Sequence, residues 1–458
     1  MVFRYFCAQI KLNLMKAFFF PGLFGLIVMA TSCQQSTFDS KISENTRHLH
    51  DAVNKTTEVI VHDIFSPVVA GRIYAYSSIA CYEALRQGYA DQFKTLAGQV
   101  NGLEAVPAAP ADQQIDFNIA ALEAYLNVSK SLIFSEAEIE GFRTELFNQL
   151  EEEGVPEDIF EASVTYGRKV SDHILAWAKK DNYAQTRSSP KYTVNNEPGR
   201  WIPTPPAFIE AIEPNWREIR PLTLDSSNQF PALPPVPFST DKNSECYQQA
   251  LEVYNITETD KENKLEIANF WDCNPYVMHQ QGHLMFATKK ITPGGHWIGI
   301  VGQASRKANK NMMETAEAYA LTSIALFDGF ITCWDEKYRS NVCRPETYIN
   351  QFIDPDWVPA LQTPPFPEHT SGHSVISTAS ALVLTHLFGD NFAFADSTEV
   401  PYGMPVRSFN SFKEAASEAA VSRHYGGIHF RPGIEYGVEQ GKKVGEHVLA
   451  SVVTSVKG

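Results

Sequence analysis

Apolar residues recur at intervals of three and four along most of this 458-residue chain, which is the spacing of helices that bury one face. The first clear examples lie within residues 51–85, where Pro67 predicts a kink, and within residues 135–154 and 156–180. The alternation of apolar and polar residues that is typical of strands is scarce. The sequence therefore predicts an all-α protein built from packed helical bundles.

A proline-rich stretch interrupts this pattern. Residues 182–241 contain eleven prolines, each of which lacks a backbone donor and restricts the backbone. This density predicts a long loop laid over the surface between two helical halves. Helical spacing resumes within residues 261–289, 311–335, 374–388, 411–423 and 433–452. We therefore predict an N-terminal helical region, residues 33–250, and a C-terminal helical domain, residues 251–458.

The first 32 residues have the pattern of an export signal. They contain three cations and no acid, and their apolar run, residues 17–30, is too short to be a strong membrane span. Small residues precede Cys33, as in the cleavage site of a bacterial lipoprotein. A plain secretory peptide or a stray buried cysteine is the alternative. We expect residues 1–32 to be removed, Cys33 to be lipidated, and the exported protein to be held on a bacterial membrane by its lipid alone, in the periplasm or at the cell surface.

Charge and cysteine content exclude several classes of partner. The net charge of −15 becomes −18 once the three cations of the leader are removed, and no long Lys/Arg block is present. Nucleic acid is therefore not an expected partner, and any anion site has to be a local cationic pocket. The five cysteines after Cys33 lack the CxxC spacing of a zinc framework and allow at most two disulfides.

Three short segments of the last third carry the residues suited to chemistry. Lys337 lies at a predicted helix end and Arg344 precedes a proline, so their charges can converge from a helix and a loop. A second segment contains Ser371, Gly372 and His373 at a predicted helix start, which offers backbone donors to an anion. In a third segment, Arg423, a Gly-Gly turn and His429 follow one another before the next helix.

Each segment alone has an ordinary explanation: a surface helix end, a capped turn or a structural histidine. Their order and spacing, Lys-x6-Arg-Pro, then Ser-Gly-His, then Ser-Arg-x5-His, resembles the three-part signature shared by vanadium-dependent haloperoxidases and PAP2-type acid phosphatases. The resemblance is close within residues 334–436. The runs 269–275 and 295–297 look like bacterial haloperoxidases, and a chain above 400 residues is more similar to that branch than to the small phosphatases.

The resemblance implies an all-α haloperoxidase fold, a catalytic C-terminal domain and a vanadate cofactor. His429 would bind the vanadium, and His373 would take a proton from hydrogen peroxide. The residues implied to bind the vanadate are Lys337, Arg344, Ser371, Gly372, Arg423 and His429. Lys337 would also polarise the peroxide, so that halide attack yields hypohalous acid. Iodide, the most easily oxidised halide, is expected first and bromide next; a small organic acceptor and the oligomeric state are left open.

Four residues are further pocket candidates: Trp334, Phe366, His369 and His296. The position of Phe366 is Phe in chloroperoxidase-like members of the family and His in algal bromoperoxidases, so the chain resembles the former here. Thr370 replaces a proline of the family pattern and can still serve at a helix start. The family often has an aspartate where this chain has Gly433, so we expect Glu435 or a backbone carbonyl to orient His429.

Two other functions remain open at the level of sequence. The same site suits a PAP2-type phosphatase in which His429 forms a phosphohistidine and His373 protonates the leaving alcohol. A non-catalytic helical surface lipoprotein would also account for the leader, the acidity and the helices, but not for the clustered basic residues. His279 and His283, four apart in a predicted helix, lack the glutamate of a zinc hydrolase, which favours a surface or packing role.

Overall fold

The computed structural model describes residues 44–256, 258–281 and 284–456, so the predicted leader and Cys33 lie outside the described chain. Helices make up most of the described residues, and the all-α prediction is confirmed. The helices are Thr46–His62 (α1), Pro67–Arg86 (α2), Phe117–Leu132 (α3), Glu136–Glu152 (α4), Glu157–Ala178 (α5), Tyr183–Thr186 (α6), Glu245–Tyr254 (α7), Lys261–Phe270 (α8), Pro293–Lys307 (α9), Met312–Ser340 (α10), Pro345–Phe352 (α11), Gly372–Phe388 (α12), Phe412–Tyr425 (α13) and Arg431–Ser451 (α14). Two antiparallel hairpins join Val277–Gln281 (β1) to Leu284–Thr288 (β2), and Phe394–Asp396 (β3) to Arg407–Phe409 (β4).

Helix α10 lies at the centre of the packing. It contacts α2, which packs with α3 and α5 in one bundle, and it also contacts α12, which packs with α13 and α14 in another. Helices from both sides of residue 250 therefore share one core, and the predicted boundary at that residue stays a prediction. Within the described ranges, no helix is long and apolar enough to cross a membrane. The cysteines of this part of the chain are free thiols: Cys81, Cys246, Cys273, Cys333 and Cys343.

Local sequence explains how the site-bearing helices begin and approach one another. Asn311 and Glu314 form a capping box at the start of α10, and the Ser371 side chain caps α12 by accepting from the Ser374 N–H. Helices α12 and α14 pack closely because Gly441 has no side chain: a Cβ there would overlap the carbonyl oxygen of Val375 and lie 2.9 Å from its carbonyl carbon. The two elements that flank the candidate site are thus held together along their length.

Two of the predicted elements are wrong. Pro67 does not kink a single helix; it opens α2, after Ser66 has capped that helix through the Val69 N–H. The predicted helix over residues 261–289 ends at Phe270, and the β1–β2 hairpin follows. His279 therefore lies in a strand and not in the predicted helix, and His283 is outside the described residues.

The proline-rich stretch is largely irregular, as predicted, but it is not confined to the surface. Trp201, Trp216 and Leu222 within it are fully buried. One anchor is Asp328 of α10, whose buried carboxylate accepts from the backbone N–H groups of Leu222 at 2.7 Å and Thr223 at 2.8 Å, and from the Thr223 hydroxyl at 2.6 Å. The loop is therefore part of the core that surrounds α10.

Replacing this anchor should destabilise the fold. Asp328→Asn keeps the shape of the side chain but presents an amide donor to groups that also donate. We therefore expect the free energy of unfolding to fall by about 3 kcal/mol, the order typical of hydrogen bonds to charged groups. The measurement is the denaturant midpoint of the purified protein. Asp225→Asn is the control: it removes a carboxylate charge at an exposed position of the same loop, leaves the Asp328 anchor in place, and should leave the midpoint unchanged. Equal midpoints for both variants would contradict the anchoring role.

Candidate active site

The three predicted segments meet at one buried place. Lys337 lies in the last turn of α10, Ser371 opens α12, and Arg423 lies in the last turn of α13, while His429 is in the short connection before α14. A small cavity at this point is lined by Trp334, Phe366, Gly372, His373, Arg423, His429 and others. The structure thus brings together the residues that the sequence motifs singled out.

The hydrogen bonds of His429 define the state of its ring. Nε2 lies 3.1 Å from Nη1 of Arg344, and a guanidinium can only donate, so Nε2 is the accepting nitrogen. Burial and the charges of Arg344 and Lys337 hold the pKa of His429 well below its usual value, so the ring is neutral. Its proton consequently lies on Nδ1. The lone pair of Nε2 is the one that faces the cationic side chains.

Glu368 is the group that orients this histidine. Its Oε1 accepts from His429 Nδ1 at 2.7 Å and from the backbone N–H of Phe430 at 3.2 Å. The prediction that Glu435 or a backbone carbonyl would take this role is wrong. Sequence analysis missed Glu368, whose only signal is its place three residues before the Ser-Gly-His motif. Burial raises the pKa of Glu368 to about 7, against the lowering effect of Arg344 and Lys337.

Two of the buried cations hold the segment that precedes α12. Lys337 Nζ donates to the carbonyls of Pro367, Glu368 and Thr370 at 2.5–3.0 Å, so all three of its donors have partners. Arg344 donates to the carbonyl of Phe366 at 2.9 Å and to that of Ile428 at 2.8 Å. These residues therefore tie the Ser371 segment to the His429 segment.

Burial also changes the basicity of both cations. It lowers the pKa of Lys337 to about 8 and that of Arg344 to about 10. Nη2 of Arg344 is buried and has no hydrogen-bond partner among the residues that the structure describes. The site therefore keeps at least one strong donor for which the protein itself supplies no acceptor.

Arg423 supplies the third cation from the other side of the cavity. Its Nη2 donates to the carbonyl of Ala268 at 3.2 Å, and its Nη1 lies 3.8 Å from a carboxylate oxygen of Asp272. Burial lowers the pKa of Arg423, while Asp272 raises it. Glu368 opposes the charges of Lys337 and Arg344, and Asp272 is shared between Arg423 and Lys290, whose Nζ lies 2.5 Å from Asp272 Oδ2.

The start of α12 completes the cavity wall. The Ser371 N–H donates to the Gly433 carbonyl at 2.8 Å. The N–H groups of Gly372 and His373 lie in the first turn of α12, where the helix itself provides no carbonyl to accept from them. His373 Nε2 is buried and, within the described chain, has no hydrogen-bond partner. Burial and the charge of Arg423 hold the pKa of His373 well below its usual value, so this ring is neutral as well.

Two of the four pocket candidates line the cavity and two do not. The rings of Trp334 and Phe366 lie 4.9 Å apart at its wall. His369 instead binds the carbonyl of Leu233 at 2.9 Å and lines a different cavity. His296 lies outside the cavity lining and contacts two carboxylates, Asp396 Oδ2 at 2.7 Å and Glu399 Oε1 at 3.1 Å.

His296 and its neighbours form a separate buried group. Although burial lowers the pKa of His296, Asp396 and Cys273 raise it well above its usual value. The ring is therefore an imidazolium that neutralises the carboxylates behind the cavity wall. The run 269–275, noted in the sequence only for its resemblance, supplies Cys273 and Asn274 to the cavity lining, and Tyr276 follows them there.

Taken together, these contacts describe a site for a multiply charged oxyanion. Arg guanidinium groups supply planar donors of permanent charge, and a helix start supplies backbone donors. The neutral rings add two unprotonated nitrogens: His373 Nε2, which has no partner among the described residues, and His429 Nε2, which accepts from Arg344. Burial strengthens all of these interactions by excluding water.

Comparisons with known proteins agree with this geometry. A family model described as the VCPO second helical-bundle domain matches residues 317–458, which contain all three motif segments. Among solved structures, "Crystal structure of the first bacterial vanadium dependant iodoperoxidase" is 50% identical, covers 89% of this chain and 97% of its own, and superposes with a TM-score of 0.85. A search of curated proteins gave no match.

Two further structures support the fold alone. The holo and apo forms of a bacterial vanadium-dependent chloroperoxidase are 16% and 15% identical, cover 85% and 84% of this chain and 93% and 94% of their own, and have TM-scores of 0.62 and 0.61. The iodoperoxidase structure is far more similar, because half of the residues are identical over 89% of this chain. The chain belongs to the vanadium-dependent haloperoxidase family.

Proposed function

We propose that this protein oxidises a halide with hydrogen peroxide to hypohalous acid, using vanadate bound at His429. The observation that carries the proposal is the state of the His429 ring: Nε2 is an acceptor that faces buried guanidinium donors, and Nδ1 is held by a carboxylate. A neutral histidine oriented in this way can ligate a metal through its free nitrogen.

The residues present fit vanadate. Arg344 Nη2 and His373 Nε2 are buried polar atoms without partners among the described residues, and both belong to the motif segments that meet at His429. Arg344 Nη2 is a buried donor without a partner among these residues, which is costly, and a bound oxyanion would remove that cost by accepting from it. Lys337, Arg344 and Arg423 would balance its negative charge, and Ser371 and the Gly372 N–H would donate to its oxygens.

The protein's own groups have distinct roles in this chemistry. When bound, vanadate supplies a Lewis acid that activates peroxide, and the vanadium keeps its oxidation state throughout. His429 Nε2 would hold the vanadium, and Arg344 and Arg423 would stabilise the negative charge of the bound oxyanion. His373 Nε2, neutral and unpartnered, accepts a proton from the incoming peroxide. Lys337 holds the Pro367–Thr370 backbone in place and adds positive charge beside the reacting oxygens.

Iodide is the halide we propose first, followed by bromide. The half-identical relative is described as an iodoperoxidase, and iodide is the halide that gives up electrons most readily. The apolar rings of Trp334 and Phe366 form the wall next to the motif residues and exclude water from the place where halide and oxidant meet. A small organic acceptor of the oxidised halogen remains an open proposal.

Iodide oxidation should depend on vanadate and on His429. Protein lacking residues 1–33, first freed of bound anions, should oxidise iodide with peroxide only after orthovanadate is added, and His429→Ala should lose this activity. The assay is the rate of triiodide formation, measured beside phosphate release from an aryl phosphate. Phosphatase turnover that vanadate inhibits, with no iodide oxidation, would move the protein to the PAP2-type phosphatases.

His373→Ala tests the proposed proton acceptor. We expect kcat to fall by about 10²–10⁴-fold, the range typical of general acid–base catalysis, while vanadate affinity changes much less. Steady-state iodide oxidation at saturating vanadate measures the first quantity, and a vanadate titration measures the second. His386→Ala removes an exposed histidine of the same helix and should leave both unchanged. A normal kcat in His373→Ala would rule out the assigned role.

We also propose that the protein is exported and lipid-anchored through Cys33. The support is the basic and apolar leader followed by small residues before that cysteine. In bacterial cells, the protein should fractionate with membranes and incorporate labelled palmitate, and Cys33→Ser should abolish both properties. Cys7→Ser, within the leader, is the matched control and should behave as the unmodified chain does. Palmitate labelling that survives Cys33→Ser would place the lipid at another residue, and an unmodified chain that takes up no palmitate would rule out the anchor.

A further inference from the structure

The carboxylate that orients His429 comes from an unexpected part of the chain. Glu368 lies in the segment before α12, whereas His429 lies in the connection before α14, 61 residues further on. The Glu368 side chain is 2% exposed, and its Oε1 contacts both the His429 ring and the backbone of Phe430. A carboxylate this deeply buried is retained only when it is paired and hydrogen-bonded.

Gly433 provides the room for this carboxylate. A Cβ built at residue 433 would overlap Glu368 Oε1 and would lie only 2.9 Å from both Cδ and Oε2. The backbone there is ordinary helix in the first turn of α14, so the glycine is required by space and not by conformation. Any side chain at residue 433 would have to displace Glu368. The two positions therefore share a single volume beside Nδ1 of His429.

We propose that Glu368 is the positioning residue for the vanadium-binding nitrogen of His429, and that residues 368 and 433 are interchangeable sources of this one carboxylate. This chain uses glutamate from the segment before α12 and glycine on α14. The reciprocal arrangement, a small residue at 368 and an aspartate at 433, would fill the same volume from the opposite side. The inference deepens the proposed function and rests on it for the identity of the oxyanion.

Electrostatics explains why the site needs this carboxylate. Arg344 occupies the Nε2 side of the ring, and with Lys337 it would disfavour any extra positive charge on His429. Glu368 accepts a hydrogen bond from His429 Nδ1–H, which keeps the proton on Nδ1 and the Nε2 lone pair available in a fixed direction. It also offsets part of the charge of the buried cations. A neutral amide at residue 368 would keep the shape but lose the charge that makes the ring a stronger ligand.

The experiment measures vanadate binding in the absence of peroxide and halide. Isothermal titration of Glu368→Gln with orthovanadate should give a dissociation constant about 10–100-fold above that of the unmodified protein, the range typical of lost partners of metal-binding histidines. Glu346→Gln is the matched control: it removes another buried carboxylate, one that accepts from Thr363 Oγ1 at 2.5 Å, and should leave the affinity unchanged.

The exchange of positions separates a positioning role from a structural one. Glu368→Ala should weaken vanadate binding, Gly433→Asp alone should also weaken it by crowding Glu368, and the double variant Glu368→Ala/Gly433→Asp should recover affinity. Circular dichroism and denaturant midpoints establish that each variant is folded. Unchanged affinity in folded Glu368→Gln, or a double variant no better than Glu368→Ala, would overturn the proposal. An unmodified protein that binds vanadate but does not oxidise iodide would remove the proposed function and leave this assignment intact.

Discussion

Buried cations that donate to backbone carbonyls determine how the site is built. Lys337 holds three carbonyls of residues 367–370, and Arg344 joins the carbonyl of Phe366 to that of Ile428. These bonds place the segment before α12 against the connection before α14. Glu368 can reach His429 because of that placement, and the start of α12 faces the same cavity for the same reason. Packing of α12 on α10 and α14 makes the arrangement rigid.

Burial of these cations also favours the binding of an anion. Removing three cationic side chains from water is costly, and the carboxylates Glu368 and Asp272 beside them also bind other groups, His429 and Lys290. The lowered pKa values of Lys337, about 8, and Arg344, about 10, express that cost. An oxyanion that ligates His429 would restore the missing partners. Selectivity for an anion can thus exist within a protein whose overall charge is strongly negative.

The motif residues were predictable because the signals that place them are local. A helix end just after Arg423, a capped helix start at Ser371 and a glycine turn before His429 can each be recognised within a few residues. The contact between Glu368 and His429 spans 61 residues and depends on how Lys337 and Arg344 hold the two segments, so no local pattern predicts it. The sequence shows that Gly433 replaces an aspartate of the family pattern, but only the three-dimensional structure shows that Glu368 lies in the space beside it.

The errors in the fold have similar causes. A short apolar stretch such as residues 284–288 fits a helix or a strand equally well by periodicity, and in the structure it pairs with residues 277–281 as an antiparallel strand. The proline-rich loop was correctly predicted to be irregular, but the burial of Trp201 and Trp216 depends on anchors such as Asp328 on a distant helix. A high proline content disfavours helices and strands, but it does not predict how deeply the side chains of a segment are buried.

The most direct test of the central claim is a crystal structure of the protein grown with orthovanadate, with anomalous data collected at the vanadium edge. The account predicts one strong anomalous peak within bonding distance of His429 Nε2, with Arg344, Arg423 and the Gly372 N–H donating to the surrounding oxygens. A site without vanadium at His429, or vanadium bound at another place on the protein, would contradict it.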